Sequence, residues 1–577
     1  MNSRMAKTMI FFLIVLISLI LGYFLPLPIA KKVFEISGYY FIFVASITWA
    51  FTFLRRYRLS FLTNLRGYSI IIIFCTLITG AMFLASPPEY KVLTDEANLM
   101  GTSMLMHQDK IAAIPIKAFT LDNGSTEYDF IMDRRPLLFP FLISVVHAIT
   151  GYSPFNGFVV NFFAGVLILC TFYLLVSKMY DPTLGLIAIL IISALPQYMF
   201  CITSSGFDAL NLLFIILSLF MLHQFVRSQS AANAELFLFT LLLLAYCRYE
   251  SVLFIICLMV LIPFIKNRDV IFKCSLILYV IPPLLIPVLW QRRYFDSITL
   301  VNKIEPGLFH SPENQFSFAH FITHVPKNVF VLLGVDPNYG YSWVAAILAI
   351  SGAYLFARRR LLTREISTSE NRALLIYSVA TFGALFGLIS AYFWGNFTLA
   401  VNNRLSLIFL PCIVLPAIYV IDGLLLQKSS WVKNTVAVFF VFHLACFWPY
   451  GIKQKLGNTM MLKYEYEVTL QMLNESFDRE KNLIVANYPH MYNIQKFNAV
   501  DFNYANSNIQ QMVKSRHYDH IIVFQRYQRN KSRPVTGNTL DIPYELNTLE
   551  EFKLSEETIL KISELIPEQE VEFNIDL

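Results

Sequence analysis

The sequence predicts a mainly α protein, a polytopic membrane helix bundle of about thirteen spans with outer-face juxtamembrane helices and a small C-terminal α/β domain. Three observations predict it. The 577 residues are 56% hydrophobic and only 15% charged, against about 25% charged in a soluble globular chain. A mean hydropathy of +0.56 over this length exceeds what one anchor helix of about 20 residues contributes. Charged residues sit in short clusters between apolar runs as far as Tyr450, after which the chain turns polar. This pattern excludes a soluble enzyme. The net charge of +6 reads as membrane-flanking loops rather than a nucleic-acid face, so nucleic acid is not an expected partner.

The spans follow in order. Apolar runs of spanning length cover Thr8 to Pro26, Gly38 to Leu54, Tyr68 to Leu84, Phe155 to Val176, Leu184 to Cys201 and Ala209 to Phe225. Further runs cover Leu236 to Cys247, Val252 to Ile265, Val270 to Trp290, Tyr341 to Phe356, Ala373 to Trp394, Leu405 to Leu425 and Val432 to Tyr450. Leu137 to Ile149 is apolar but shorter than a span. Alternate short loops carry the basic residues, among them Arg55, Arg56, Arg58, Arg66, Arg227, Lys266, Arg268 and Arg358 to Arg360. The intervening short loops hold only Lys31, Lys32, Arg248 and Arg404. By the positive-inside rule the N-terminus is then cytoplasmic and the C-terminus extracytoplasmic. The first run, preceded by Arg4 and Lys7, is longer than a usual signal-peptide apolar region and reads as a span, a signal peptide being the other reading.

The expected domains are a membrane domain over 1–450, with outer loops 86–135 and 291–340, and a small extracytoplasmic α/β domain over 451–577. In the latter, Met460 to Glu475 and Ser555 to Leu565 have helical spacing, while Asn482 to Ala486 and His520 to Phe524 read as strands. The eight cysteines lie in or at the edges of apolar runs and read as small apolar residues, with no disulfide framework and no CxxC pair.

The first outer loop carries Thr94-Asp95-Glu96-Ala97-Asn98 ahead of an amphipathic stretch. A carboxylate there is either a general base on an acceptor hydroxyl or a helix N-terminal acid complementing the dipole. The loop ends in Asp133-Arg134-Arg135-Pro136, where guanidinium groups either bind a phosphate or anchor at anionic lipid. Asp208, Arg248 with Glu250, and Arg404 lie at outer span ends, where ionisable groups are costly and so are functional candidates, or else structural pairs. His320 and His324 share a helix face; the preferred reading is an amphipathic surface helix over Phe316 to Phe330 rather than a metal site.

The order of these features resembles the GT-C superfamily of polytopic glycosyltransferases. They are the Asp95-Glu96 pair, then Arg135-Pro136-Leu137-Leu138-Phe139-Pro140, then Gly206-Phe207-Asp208, Cys247-Arg248-Tyr249-Glu250 and Asn403-Arg404. The protein O-mannosyltransferase and aminoarabinose lipid A transferase branch is the most similar. The resemblance implies an inverting transfer of sugar from a polyprenyl-phosphate carrier on the periplasmic or lumenal face. It implies Asp95 as general base with Glu96 in support, and Arg135 or Arg134 together with Arg404 at the carrier phosphate. Asp208, Arg248 and Glu250 become further active-site candidates. No cofactor is required by this reading, a divalent metal being possible. The expected partners are the lipid-linked sugar donor, a lipid, glycan or protein acceptor, and membrane lipids, with a bacterial inner membrane as the location. The rival class is a non-enzymatic transporter or flippase of a lipid-linked saccharide, which would need several ionisable residues near mid-span.

Overall fold

The computed structural model describes residues 3–57, 60–120, 126–264, 276–301, 315–363, 369–425, 430–453, 459–514, 517–529, 533–535, 539–540 and 545–566. Arg58, Lys266, Arg268 and Cys274 lie outside the described residues. The chain forms two compact units, one of Met1–Glu89, Arg134–Ile149 and Phe155–Lys455, the other of Tyr90–Asp133, Thr150–Pro154 and Leu456–Leu577.

The first unit is the membrane bundle. It begins with α1 (Ser3–Phe24), α2 (Leu27–Tyr57) and α3 (Ser60–Ala85). After the excursion of the chain through α4 (Leu93–Gln108) it resumes with α5 (Leu138–Thr150), α6 (Asn156–Met179), α7 (Pro182–Ala194), α8 (Pro196–Ile202), α9 (Asp208–Ser228) and α10 (Ala231–Ala245). It is completed by α11 (Ile286–Val301), α12 (Phe318–Leu332), α13 (Trp343–Thr363), α14 (Ser369–Ala391), α15 (Leu410–Leu425) and α16 (Ser430–Lys453). Among the described residues eight helices are long and apolar enough to cross a membrane, or nine if α7 and α8 count as one span bent by 76°. This is a multi-pass membrane protein. The bend follows from Pro196, which removes a backbone donor and holds Leu195 extended.

Thirteen full spans are therefore too many for the described residues. Leu236 to Cys247 ends early in α10, Val252 to Ile265 breaks into Leu253–Ile256 and the 3-10 segment Cys257–Phe264, and Trp343–Arg358 is short. Val270 to Trp290 lies partly outside the described residues. Periodicity and composition do not distinguish a short buried helix from a span, because both are apolar on all sides.

Burial separates lipid-facing helices from the centre. Phe12, Ile70 and Leu84 on α1 and α3 are exposed, as side chains in contact with hydrocarbon are. Helix α9 is buried on nearly every side, packed by α6, α10 and α14. It therefore delivers Asp208, in its first turn, to an enclosed position. Helix α2 is tied to α10 by Trp49 Nε1 donating to Thr240 Oγ1 at 3.0 Å. The C-terminal carbonyls of α1 are satisfied from α11: Arg293 Nη1 donates to Gly22 O and Leu25 O at 2.9 and 2.8 Å, and Trp290 Nε1 to Leu21 O at 3.0 Å.

The second unit is built on one sheet. Its strands are β1 (Ala113–Thr120), β2 (Thr126–Met132), β3 (Asn482–Val485), β4 (Asn498–Val500), β5 (His520–Gln528), the two-residue β6 (Arg533–Pro534), β7 (Glu545–Lys553) and β8 (Thr558–Ile566). The order is β2-β1-β4-β3-β5-β8-β7, with β6 on β5. The β4, β3 and β5 strands are parallel, and the others pair antiparallel. Helix α17 (Thr459–Ser476) precedes β3, and α18 (Phe502–Lys514) packs Phe502, Ala505 and Ile509 against Leu483, Val485 and Val523. Residues 90–133, read from sequence as loop, thus contribute α4 and a hairpin to this sheet through Ala118↔Ala499.

One secondary-structure expectation fails. Ser555 to Leu565 is not helical but forms most of β8, in a hairpin with β7. Leu560 and Ile562 face the core at strand spacing, and the segment Ile559-Leu560-Lys561-Ile562-Ser563-Glu564-Leu565 fits both periods. The antiparallel pairing with β5 and β7 decides it.

Helices α13 and α15 approach closely at Gly352, where an added Cβ would overlap the Pro416 carbonyl oxygen, the small-residue contact expected between membrane helices. At Gly383 on α14 an added Cβ meets nothing within 4 Å. Gly352→Ala is therefore expected to cost about 1–3 kcal/mol, seen as a lower melting temperature of the detergent-solubilised protein, while Gly383→Ala does not lower it.

Candidate functional site

The acid pair belongs to the second unit, in the first turn of α4. The two acids have different surroundings. Glu96 is 1% exposed, and its Oε2 accepts the Val92 backbone N–H at 2.8 Å. It closes the start of its own helix, where four donors lack intrahelical partners. Asp95 is half-buried. Farther along α4, Thr102 Oγ1 donates to Asp133 Oδ2 at 2.7 Å, with both residues fully buried. The polar side chain immediately before Arg134 is thereby fixed.

The remaining candidates belong to the first unit, and four of them come together. Arg248 Nη1 donates to Asp208 Oδ1, while its Nε and Nη2 donate to Glu250 Oε2 and Oε1 at 3.2 and 3.1 Å. Arg404 Nη1 lies 3.7 Å from Asp208 Oδ2. One buried carboxylate is therefore shared by two guanidinium groups from distant parts of the chain. The ring of Phe207 faces both, with Arg248 Cζ 5.1 Å and Arg404 Cζ 6.0 Å from its centroid. Ser251 Oγ donates to Asn211 Oδ1 at 2.8 Å, joining the residue after Glu250 to the first turn of α9. Two arginines and two carboxylates sum to zero formal charge, the condition under which such groups tolerate burial.

Local sequence explains why these side chains converge. Asp208 opens α9, and α10 stops at Ala245, so Arg248 and Glu250 fall in and beside the short 3-10 turn Tyr249–Val252. Arg404 begins another 3-10 segment, Arg404–Phe409, ahead of α15. Interrupted helices place polar backbone and side chains at membrane-end depth only where protein surrounds them.

Glu250 also lines a cavity of about 260 Å³ together with Tyr249, Arg292, Phe295, Phe316, Tyr392, Leu405 and several aliphatic side chains. A smaller recess beside it is lined by Arg134, Pro136, Tyr249, Gln291, Arg292 and Phe295. Phe295 repeats the arrangement at Phe207, with Arg134 and Arg292 at 5.9 and 5.6 Å from its centroid. Arg134 is exposed, whereas Arg135 is buried and its carbonyl accepts from Gln291 Nε2 at 2.6 Å. An apolar cavity with Arg292 and Glu250 on its wall, adjoining a recess that adds Arg134, suits an amphiphile whose polar end is anionic.

Sequence reasoning passed over Phe207 and Arg292. Phe207 lies inside a motif that was read only for its acid. Arg292 carried a signal: with Arg293 it is a basic pair following Trp290 on the side expected to be poor in basic residues. The neighbours have different tasks, since Arg293 caps α1 and Arg292 lines both cavities.

His320 and His324 do stack, with ring centroids 5.6 Å apart on α12. His324 Nδ1 is 3.1 Å from Ser390 O, and burial holds its pKa below the ordinary value. Among the described residues no group of three or more His, Cys, Asp or Glu assembles as a metal site.

The family described as dolichyl-phosphate-mannose-protein mannosyltransferase matches residues 134–291. That stretch contains Arg134, Arg135, Asp208, Arg248, Glu250 and Gln291. The GT-C resemblance holds. No curated protein matches the chain. Solved structures similar to it include an Archaeoglobus fulgidus oligosaccharyltransferase complex with Zn and sulfate, 13% identical, covering 82% of this chain and 74% of that one at a TM-score of 0.47. They also include ArnT from Cupriavidus metallidurans bound to undecaprenyl phosphate, 12% identical, covering 86% and 98% at a TM-score of 0.43.

Removing Arg248 would take the ion-pair partner from half-buried Glu250 and leave buried Asp208 only the longer contact to Arg404. Arg248→Ala is expected to destabilise the protein by about 3–5 kcal/mol, read as a melting-temperature loss in detergent. Ser251→Ala, which removes one hydrogen-bond partner, should cost about 1–3 kcal/mol.

Proposed function

We propose that this protein is a glycosyltransferase that moves a sugar from a polyprenyl-phosphate carrier to an acceptor hydroxyl, with inversion, on the periplasmic face of a bacterial inner membrane. The observation that carries the proposal is the apolar cavity of the membrane unit, with Arg292 on its wall and Arg134 in the adjoining recess. A polyprenyl phosphate is an apolar chain ending in an anion, and the cavity offers both environments. Arg134, Arg135, Arg292 and Arg404 are the proposed phosphate ligands.

The acceptor oxygen attacks the anomeric carbon as the bond from that carbon to the phosphate oxygen breaks. The hydroxyl proton passes to the Asp95 carboxylate, and the bonding pair leaves with the polyprenyl phosphate. Negative charge grows on the phosphate during departure, so guanidinium groups fixed nearby lower the barrier more than they tighten the ground state. The phosphate departs without protonation, so one base suffices. Glu96 is assigned to closing α4 rather than to proton transfer, because its carboxylate already holds the Val92 N–H. The chemistry needs no cofactor, and the acceptor is a lipid, glycan or protein hydroxyl.

A transport path would favour ionisable residues along the middle of spans, whereas Asp208, Arg248, Glu250 and Arg404 all sit at helix starts and breaks. The transferase reading accounts for that placement.

The test is transfer of radiolabelled sugar from a panel of polyprenyl-phosphate sugars to membrane acceptors. Asp95→Asn should lower kcat by about 10²–10⁴-fold with carrier binding retained, and Glu96→Gln should act mainly on stability. Equal turnover by wild type and Asp95→Asn would remove Asp95 from the mechanism. No transfer from any donor would overturn the proposal.

A further inference from the structure

Arg134 reaches its recess from a short segment outside any helix or strand, Arg134-Arg135-Pro136-Leu137. Pro136 disfavours helical backbone at Arg135. The Arg135 carbonyl therefore stands outside the helix that starts at Leu138, and a buried carbonyl needs a donor. Gln291 supplies one: its Nε2 donates to Arg135 O at 2.6 Å, with Gln291 5% and Arg135 7% exposed. Beyond the proline, the Leu138 backbone N–H donates to Tyr246 O at 3.1 Å. The segment is thus pinned on both sides of Pro136. Gln291 is itself held in register, because its α11 neighbours Trp290 and Arg293 donate to Leu21 O and to Gly22 O and Leu25 O. The same stretch of α11 gives Arg292 and Phe295 to the recess that Gln291 and Arg134 line.

From this we infer that Gln291 is a positioning residue for the donor: by holding the Arg135 carbonyl it fixes the backbone that presents Arg134 to the carrier phosphate. Without the amide donor a buried carbonyl loses a partner, and the segment regains one only by shifting. Arg134 is the adjacent residue and shifts with it. A misplacement of about 1 Å at a group that acts on the transition state costs up to about 10²-fold in rate. The inference rests on the proposed contact between Arg134 and the donor phosphate and extends it to the side chain that sets where that arginine starts. Gln291 acts through Arg134 and touches no reacting atom.

A role through Arg134 and a merely structural one differ in a double-mutant cycle. Gln291→Met, which keeps the side chain's length and removes the amide, is made in the full-length protein and in its Arg134→Ala variant. The donor kcat/KM is measured with a polyprenyl-phosphate sugar, and melting temperatures are recorded alongside. Gln291→Met is expected to lower kcat/KM roughly five- to hundred-fold in the wild-type background. In the Arg134→Ala background the same substitution should cost less than about two-fold, because the group it positions is gone. Gln291→Glu, which keeps the side chain's size and loses the N–H donor, goes through the same cycle, so that a folding defect in one variant does not decide the outcome. Where turnover of a double variant is too slow to follow, the cycle is read on binding of the polyprenyl phosphate alone. An equal loss in both backgrounds would overturn the inference, since it describes a structural side chain, and so would no loss in the wild-type background. Arg134→Ala separates the two levels of the argument. A lowered kcat/KM in Arg134→Ala with additive Gln291 effects would reject only the role of Gln291. An unchanged kcat/KM in Arg134→Ala would reject the phosphate role of Arg134 and the inference with it.

Discussion

The Asp208 carboxylate is the contact on which the membrane unit's polar centre depends. It receives Arg248 on one oxygen and Arg404 on the other, joining the start of α9, the break after α10 and the turn before α15. A carboxylate alone at this depth would be strongly disfavoured, as would either arginine. Together with Glu250 they are mutually compensated, and the helices that carry them must end where they do for the groups to meet. The enclosure of α9 by neighbouring helices follows the same requirement, since a low-dielectric surrounding strengthens each pairing.

The neighbouring cavity has a different electrostatic character. Around Asp208 the charges balance within one cluster; around Phe295, Arg134 and Arg292 meet an aromatic face, and Arg292 also pairs with Asp296 at 3.1 Å. A site that binds an anionic leaving group needs cations that are gathered without being neutralised. An aromatic face adds attraction for a cation without cancelling its charge. The division between a balanced cluster and a cation-edged cavity gives the proposed chemistry a stabilising frame and a phosphate-facing surface built from adjacent residues.

The membrane bundle was legible because hydrocarbon imposes long apolar runs, and α1, α2, α3, α6, α9, α14 and α16 appear where those runs lie. The span count was less legible, because α10 and the broken segments after Glu250 are as apolar as a span and differ only in where the helix stops. Asp208, Arg248, Glu250 and Arg404 stood out singly as costly charges, but their convergence depends on tertiary packing that spacing does not encode. The polar first loop hid a hairpin, since β1 pairs with β4 across nearly four hundred positions of sequence. Ser555 to Leu565 fitted both helical and strand periods, and the available partner strands settled it. Arg292 was visible as a basic residue on the unexpected side, a signal diluted by the long segment containing it.

The proposed reaction is a single displacement at the anomeric carbon, with one base for the acceptor and arginines for the leaving phosphate. Its most direct test is the anomeric configuration of the first-formed product, determined by NMR on transfer from a polyprenyl-phosphate sugar of defined configuration. Inversion is the expected outcome. Retention would require a covalent or otherwise two-step route with a nucleophile on the protein, and would contradict it.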